Sequence, residues 1–169
     1  MLSKQLIENY FLAEKQESLL FMIMGVAAVL AGLALIIFGK TSFLRGAAIP
    51  LILVGIMHLV VGITVYRKSD GQRTDIVYAF DMDPSKLKNE ETPRMDKVMK
   101  NFVVLRYTEI ALLLAGIALI LMFRHNDQKL FWYGFGIALS AEAFISLILD
   151  FFAEKRGLEY FEALKLFTK

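Results

Sequence analysis

Four long apolar blocks constrain this chain more than any other feature of its sequence. They cover residues 18–38, 46–66, 102–123 and 130–152, and each has 21 to 23 residues. At a rise of about 1.5 Å per residue, a helix of this length spans the roughly 30 Å hydrocarbon core of a bilayer. Helices satisfy their own backbone hydrogen bonds segment by segment in lipid. The blocks therefore predict an all-α, polytopic membrane protein with four transmembrane helices, TM1 to TM4.

The composition supports this assignment. Of the 169 residues, 57% are apolar, compared with roughly 45–50% in an average soluble protein. The formal net charge is only +2, which is too balanced to attract nucleic acid, so nucleic acid is excluded as a partner. The chain has no cysteine. This excludes disulfides, thiolate metal sites and a cysteine nucleophile.

Lysine and arginine are distributed unequally between the two ends of the predicted helices. Fourteen lie before TM1, between TM2 and TM3 or after TM4, whereas four lie in the two short loops. The positive-inside rule therefore places both termini in the cytoplasm, with the protein in the inner (plasma) membrane of the cell. The short loops make TM1 with TM2, and TM3 with TM4, two helical hairpins. The aromatic side chains around Trp132, at the start of TM4, fit the outer membrane interface.

The two terminal segments are predicted to be helical. Residues 1–17 and 153–169 carry apolar side chains at helical spacing, with polar side chains on the opposite face. Two interpretations stay open. The segments are either amphipathic helices that lie on the cytoplasmic surface of the membrane, or helices that pack under the bundle.

The segment between TM2 and TM3, residues 67–101, is predicted to be a polar cytoplasmic connection. Asp70–Gly71 and Asp83–Pro84 are typical of turns. Thr92–Pro93 resembles an N-cap followed by a first-turn proline. A helix is therefore expected to begin there and to continue without a break into TM3.

Small residues indicate where the helices pack. Glycines and alanines recur at about every seventh residue in TM1 and TM2, and Ala111, Ala115 and Ala118 form a comparable stripe on TM3. Small side chains let membrane helices approach closely, because lipid gives no hydrophobic drive for association. The pattern predicts a tight bundle in which each stripe faces a neighbouring helix.

A few ionisable side chains interrupt the blocks, all of them in the cytoplasmic half. Such groups are costly in lipid, normally face the protein interior and are functional candidates by default. Counting along each helix places them about 3 to 15 Å from its cytoplasmic end, with Glu142 deepest. With one serine from the same face of TM4, the candidate ligand-binding or proton-titrating residues are Glu142, His58, Glu109, Arg106, Asp150 and Ser146.

Depth and charge suggest how these side chains pair. Arg106 and Asp150 have similar depths and opposite charges, so they are expected to form one pair. Glu142 and His58 are the natural second pair, and Glu109 can reach either. The alternative is that these pairs are structural and only hold the helices together. A carboxylate as deep as Glu142 must in either case be protonated, paired or hydrated.

The sequence suggests few cofactors. Haem ligation by two histidines is excluded because His125, the second histidine of the chain, lies in an outer loop. His58, Glu109 and Glu142 are weak candidates for a metal site, since imidazole and carboxylate groups both bind divalent metals. No phosphate-binding or hydrolase motif is present. No catalytic residue is assigned, and any cofactor stays unknown.

Three classes of function are compatible with these features. The favoured one is a small, non-catalytic inner-membrane protein that binds a partner protein, as inhibitors, immunity proteins and regulators do, with a buried polar network open to the cytoplasm. The second is a proton- or cation-linked small-molecule transporter that acts as a homo-oligomer. The third is a membrane-embedded enzyme with a lipid substrate. The outer half of the blocks is almost without polar side chains, which argues against a complete conduction path in one protomer.

Overall fold

The structure, a computed structural model of residues 1–169, is entirely helical and has no strand. Its long helices are α1 (Lys4–Phe38), α2 (Ser42–Met82), α3 (Thr92–Phe123) and α4 (Leu130–Phe167). Each lies within a helical segment that is long and apolar enough to cross a membrane. The prediction of an all-helical chain with four such helices is therefore confirmed.

Short loops join the helices in two antiparallel pairs. Residues 39–41 connect α1 to α2, and the Thr41 hydroxyl accepts a hydrogen bond from the backbone N–H of Leu44 at 3.4 Å. Residues 124–129 connect α3 to α4 and include a 3₁₀ turn, Asp127–Lys129. We call this end of the molecule the loop end. The opposite end, which holds both chain termini and the link between α2 and α3, is the terminal end.

The helices pack in the order α1, α2, α4, α3. In the most apolar stretch of each central helix, α2 or α4, 28% of the residues are buried, whereas only 11% are buried in the corresponding stretches of α1 and α3. Glycines permit the close approaches: a Cβ at Gly25 would lie 2.6 Å from the Gly55 carbonyl oxygen, and one at Gly136 would lie 2.8 Å from that of Gly116. Among the long helices, α4 is the only one against which α3 packs extensively.

The seam of α3 differs from the one predicted. Ala111, Ala115 and Ala118 are exposed, and Gly116 is the buried residue that meets α4. The reason is that α3 has one helical neighbour, so a single face of it is covered. The alanine stripe lies on another face, and this prediction was wrong.

The terminal segments are continuous with the long helices. Residues 1–17 contribute most of the first half of α1, and 153–169 form the last turns of α4. Their apolar faces are covered by protein, because Ile7 and Phe11 pack in one buried core with Tyr160 and Leu164. The interpretation in which they pack under the bundle is the one that holds, and neither segment is a separate surface helix.

The link between α2 and α3 is much shorter than residues 67–101. Helix α2 continues through Asp70–Gly71, which the sequence predicted to be a turn, and ends at Met82, where Asp83 begins the link. Pro84–Lys86 is α-helical, Leu87–Glu91 is π-helical, and α3 follows at Thr92 without a break. The predicted helix start at Thr92–Pro93 therefore lies inside a helical segment that already begins at Pro84. Thr92 does not cap its helix with its side chain, since its hydroxyl donates instead to the Leu87 carbonyl at 2.9 Å.

Candidate ligand cavity

A cavity of about 310 Å³ lies between the four helices in the half of the bundle nearer the terminal end. Its walls are mainly apolar and include Phe21 from α1, Val61 from α2, Leu105 from α3 and Leu139 from α4. No aromatic or aliphatic side chain fills it, so the helices enclose space that a ligand can occupy. The volume falls at the lower end of the range for small-molecule sites.

The cavity opens sideways between α2 and α3. The side chains of α1 that line it, such as Glu14 and Phe21, are at most half-exposed. Those from the facing sides of α2 and α3, including Met57, Val61 and Leu105, are exposed. Neither α1 nor α2 packs extensively against α3, and because the exposed lining side chains lie on α2 and α3, we take this side of the cavity as its entrance.

Four of the six predicted site residues line this cavity: His58, Glu109, Ser146 and Asp150. The His58 Nε2 atom lies 3.0 Å from the Ser146 Oγ atom, and the Phe21 ring packs edge-on against the imidazole. The other imidazole nitrogen, Nδ1, has no partner in the protein. The structure therefore brings side chains from α2, α3 and α4 to one polar patch, named here the His58–Asp150 patch.

Glu109 is the most distinctive member of the patch. It is only 9% exposed, and its Oε2 atom is buried without a hydrogen-bond partner. The neighbouring carboxyl group is that of Asp150, from α4. Two carboxylates cannot donate to each other. The pair therefore needs a proton, water or a bound cation between its oxygen atoms.

The pairs formed by these side chains differ from both predicted pairs. Arg106 contacts Glu154 through Nη1 at 3.1 and 3.2 Å, and not Asp150. Glu154 lies one helical turn closer to the terminal end, where the exposed guanidinium group can reach out of the bundle. Arg106 therefore lies at the rim of the helix pair and does not line the cavity.

Histidine 58 pairs with Ser146 because of the register between α2 and α4. The two helices run in the same direction and touch near the loop end, where Gly46 meets Phe131 and Gly134 meets Phe43. His58 lies twelve residues after Gly46 on α2, and Ser146 lies twelve residues after Gly134 on α4. The two side chains therefore lie opposite each other. Glu142 is buried to 7% exposure but lies one turn earlier, does not line the cavity and makes no side-chain hydrogen bond.

The three weak metal candidates, His58, Glu109 and Glu142, do not lie together in the structure. The structure contains no group of three His, Cys, Asp or Glu side chains able to hold a metal ion. His58 and Glu109 share the cavity, but Glu142 lies outside it. This separation again follows from the register of α4, which turns Ser146 and Asp150 toward the cavity.

Residues of α1 that the sequence analysis missed close the cavity toward the terminal end. Glu14 accepts hydrogen bonds from the hydroxyl groups of Tyr10 at 3.2 Å and Ser69 at 2.8 Å. Glu17 forms an ion pair with Arg156. Glu14, Glu17, Ser18 and Phe21 are spaced three, four and seven residues apart, so they share one helical face. The sequence hides this face, because Glu14 and Glu17 precede the apolar block of TM1 whereas Ser18 and Phe21 belong to it.

A buried polar cluster at the terminal end, beside the cavity, joins the link between α2 and α3 to α4. Glu91, which is 2% exposed, accepts hydrogen bonds from Arg94 at 2.6 and 2.7 Å and from the Tyr160 hydroxyl at 2.9 Å. Burial, and then the nearby Glu91 carboxylate, raise the pKa of Tyr160 well above its usual value. Both carboxylate oxygen atoms of Glu91 therefore accept hydrogen bonds, in contrast to the Oε2 atom of Glu109 in the His58–Asp150 patch.

No protein-family model, curated protein or solved structure matches this chain.

Proposed function

We propose that the protein is a multi-pass membrane protein of the inner (plasma) membrane, with four spans and both termini in the cytoplasm. The four long apolar helices support the spans, and the excess of lysine and arginine at the terminal end supports the orientation. Phe131 and Trp132 at the loop end fit the outer interface. In this orientation the cavity lies in the cytoplasmic half of the bilayer and opens into the lipid.

Within this membrane the protein binds a small amphiphilic molecule without transforming it. The single observation that carries this proposal is the unfilled cavity, which combines apolar walls with the unpartnered polar atoms of Glu109 and His58. An apolar stem suits the walls, and a polar head suits the patch. The sideways entrance lets such a molecule enter from the lipid. This revises the favoured partner from a protein to an amphiphile.

Binding is favoured over transport and catalysis for two reasons. The cavity reaches no further toward the loop end than Val54, Leu112 and Leu139. Beyond them the helices hold almost no ionisable side chain, and a conduction path needs polar or hydrated lining. Ser146 lies 3.0 Å from the His58 imidazole, as a nucleophile lies beside its base, but no third group holds the other imidazole nitrogen, Nδ1, as the orienting group of a catalytic triad does.

A partner protein is the second candidate, and the exposed face of α3 favours it. Ala111, Ala115 and Ala118 lie on this face among exposed aliphatic side chains. Small residues let a further membrane helix approach closely. Such a helix would come from another protein or from a second copy of this chain.

Native mass spectrometry of the purified protein tests the amphiphile proposal. Ala143 lines the cavity and is 4% exposed, whereas Ala141 points outward and is exposed. Ala143→Leu should fill the cavity and remove a co-purified small molecule that the wild type and Ala141→Leu both retain. Circular dichroism shows whether each variant folds. A wild type that carries no such molecule from its native membrane, or equal retention by both folded variants, contradicts the proposal.

A further inference from the structure

The charges around the cavity are unbalanced. Four carboxyl groups line it, those of Glu14, Glu17, Glu109 and Asp150, but Arg156 is the single lysine or arginine among the lining residues. Arg156 pairs with Glu17. A net excess of acidic groups therefore faces a space bounded largely by apolar side chains.

The deepest of these acids have no cationic partner. Glu14 receives two hydroxyl hydrogen bonds, whereas neither Glu109 nor Asp150 forms a salt bridge with a lysine or arginine. An acidic side chain in a membrane normally pairs with a basic group or another donor. The patch thus offers two adjacent carboxyl groups to whatever enters the cavity.

Two buried atoms independently point to an occupant. The Glu109 Oε2 and His58 Nδ1 atoms belong to side chains that are 9% and 7% exposed, and neither atom has a partner in the protein. They are contributed by different helices, α3 and α2, and both side chains line the cavity. Buried polar atoms are nearly always hydrogen-bonded, so these two are expected to contact a ligand or water within the cavity.

We infer that the cavity binds a lipophilic primary amine, with its ammonium group between Glu109 and Asp150 and its alkyl stem along the apolar walls. An ammonium group has three donors and no acceptor, which complements carboxylate oxygen atoms. The alkyl stem extends from the patch toward Val54, Leu112 and Leu139 or out through the entrance. The inference rests on the proposed amphiphile-binding function and names the chemical class of its ligand.

Three probes that share one alkyl stem separate the head group from the stem. Octylamine, octanol and octanoate carry a cationic, a neutral and an anionic head. The reporter is the rate at which methyl methanethiosulfonate modifies a single cysteine in protein reconstituted into lipid nanodiscs. Leu105→Cys lies at the cavity and Ile148→Cys lies outside it, and the two native side chains are equally exposed, at 43%. The native chain has no other thiol.

The expected result is protection of Cys at position 105 by octylamine alone. At a probe concentration about ten times its Kd, modification should slow by about tenfold. Ile148→Cys reports any effect of the probes on the bilayer itself and should react at an unchanged rate. Adding Glu109→Gln or Asp150→Asn to the reporter should reduce the protection by octylamine to that given by octanol. Adding Glu142→Gln, at a similarly buried glutamate outside the cavity, should preserve it.

The other outcomes distinguish the inference from the function on which it rests. Equal protection by all three probes would retain an amphiphile site and overturn the assignment to amines. Octylamine protection that survives both Glu109→Gln and Asp150→Asn would also overturn it. Protection by none of the probes would contradict the inference and, together with the absence of a co-purified molecule, the proposed function. Thermal unfolding of each variant shows that a change in rate reflects binding and not loss of the fold.

Discussion

At the residue scale, Glu109 and Glu142 show how far a sequence defines a site. Both are glutamates inside apolar helices, and both are buried. Counting residues gives their positions along each helix, because the rise of a helix is constant. The direction in which each side chain points depends on the rotation of α3 and α4 against their neighbours. That rotation is set by close contacts such as Gly116 on Gly136, which apolar patterning does not reveal.

The Glu91 cluster yields a prediction about stability. Tyr160→Phe removes the 2.9 Å hydrogen bond to Glu91 and should lower the free energy of unfolding by about 1.5–3 kcal/mol, the usual value for a bond to a charged group. Tyr78→Phe is the matched control, since Tyr78 is 64% exposed. Unfolding in mixed micelles measures both. Equal stability of the two variants would show that the cluster does not stabilise the terminal end.

The raised pKa of Tyr160 predicts how this difference depends on pH. The phenol stays protonated in the folded protein when it would ionise in the unfolded chain, whose tyrosine pKa is about 10. Its stabilising contribution is therefore complete below pH 10 and is lost as the pH rises further. The wild type should lose about 1.4 kcal/mol per pH unit relative to Tyr160→Phe above that point. A difference that stays constant from pH 9 to 11 would contradict this assignment.

At the element scale, the helices extend well beyond the apolar blocks. Hydropathy identifies the part of each helix that suits lipid, and it falls where α1, α2 and α4 continue into a conventional protein core of Ile7, Ile76 and Leu164. Asp70–Gly71 lies within α2 beside Ser69 and Ile76, which are buried against other helices, and Asp70 also forms an ion pair with Lys15 of α1. Contacts between helices therefore outweigh the local preference of Asp-Gly for a turn. Such contacts are not visible in a single sequence.

Two glycines test which contacts hold the α1–α2 pair together. A Cβ at Gly25 would lie 2.6 Å from the Gly55 carbonyl oxygen, whereas one at Gly71 would meet no atom within 4 Å. Gly25→Ala should therefore force the helices apart and cost about 1–3 kcal/mol. Gly71→Ala should stabilise α2 by up to about 1 kcal/mol through helix propensity. Thermal unfolding should move in opposite directions, and equal shifts would rule out the Gly25–Gly55 contact as a tight seam.

At the scale of the whole molecule, the four helices and their hairpin pairing could be predicted, because apolar length and short loops leave few alternatives. The cavity could not, since it arises where α2 and α3 fail to meet, and this follows from the arrangement of all four helices. The unpartnered atoms of Glu109 and His58 are likewise visible only once that arrangement is known. The candidate site is therefore a property of the assembled bundle.

The proposed orientation is testable because the chain has no cysteine. Single cysteines replace Lys40 or His125 at the loop end and Ser85 or Lys169 at the terminal end. On intact cells, a membrane-impermeant maleimide should label the first two and leave the others unlabelled until the membrane is permeabilised. Labelling of Ser85→Cys on intact cells would reverse the orientation, and labelling at both ends would indicate a mixed topology.

Crystals of the wild-type protein grown from a lipidic phase without added amphiphilic amine test directly whether the cavity holds a ligand. We expect elongated non-protein density between α2 and α3, with its polar end within hydrogen-bonding distance of Glu109 and Asp150. The same map should show Glu142 outside the occupied space. A collapsed bundle, in which α2 and α3 pack together and their side chains fill the cavity, would contradict this expectation.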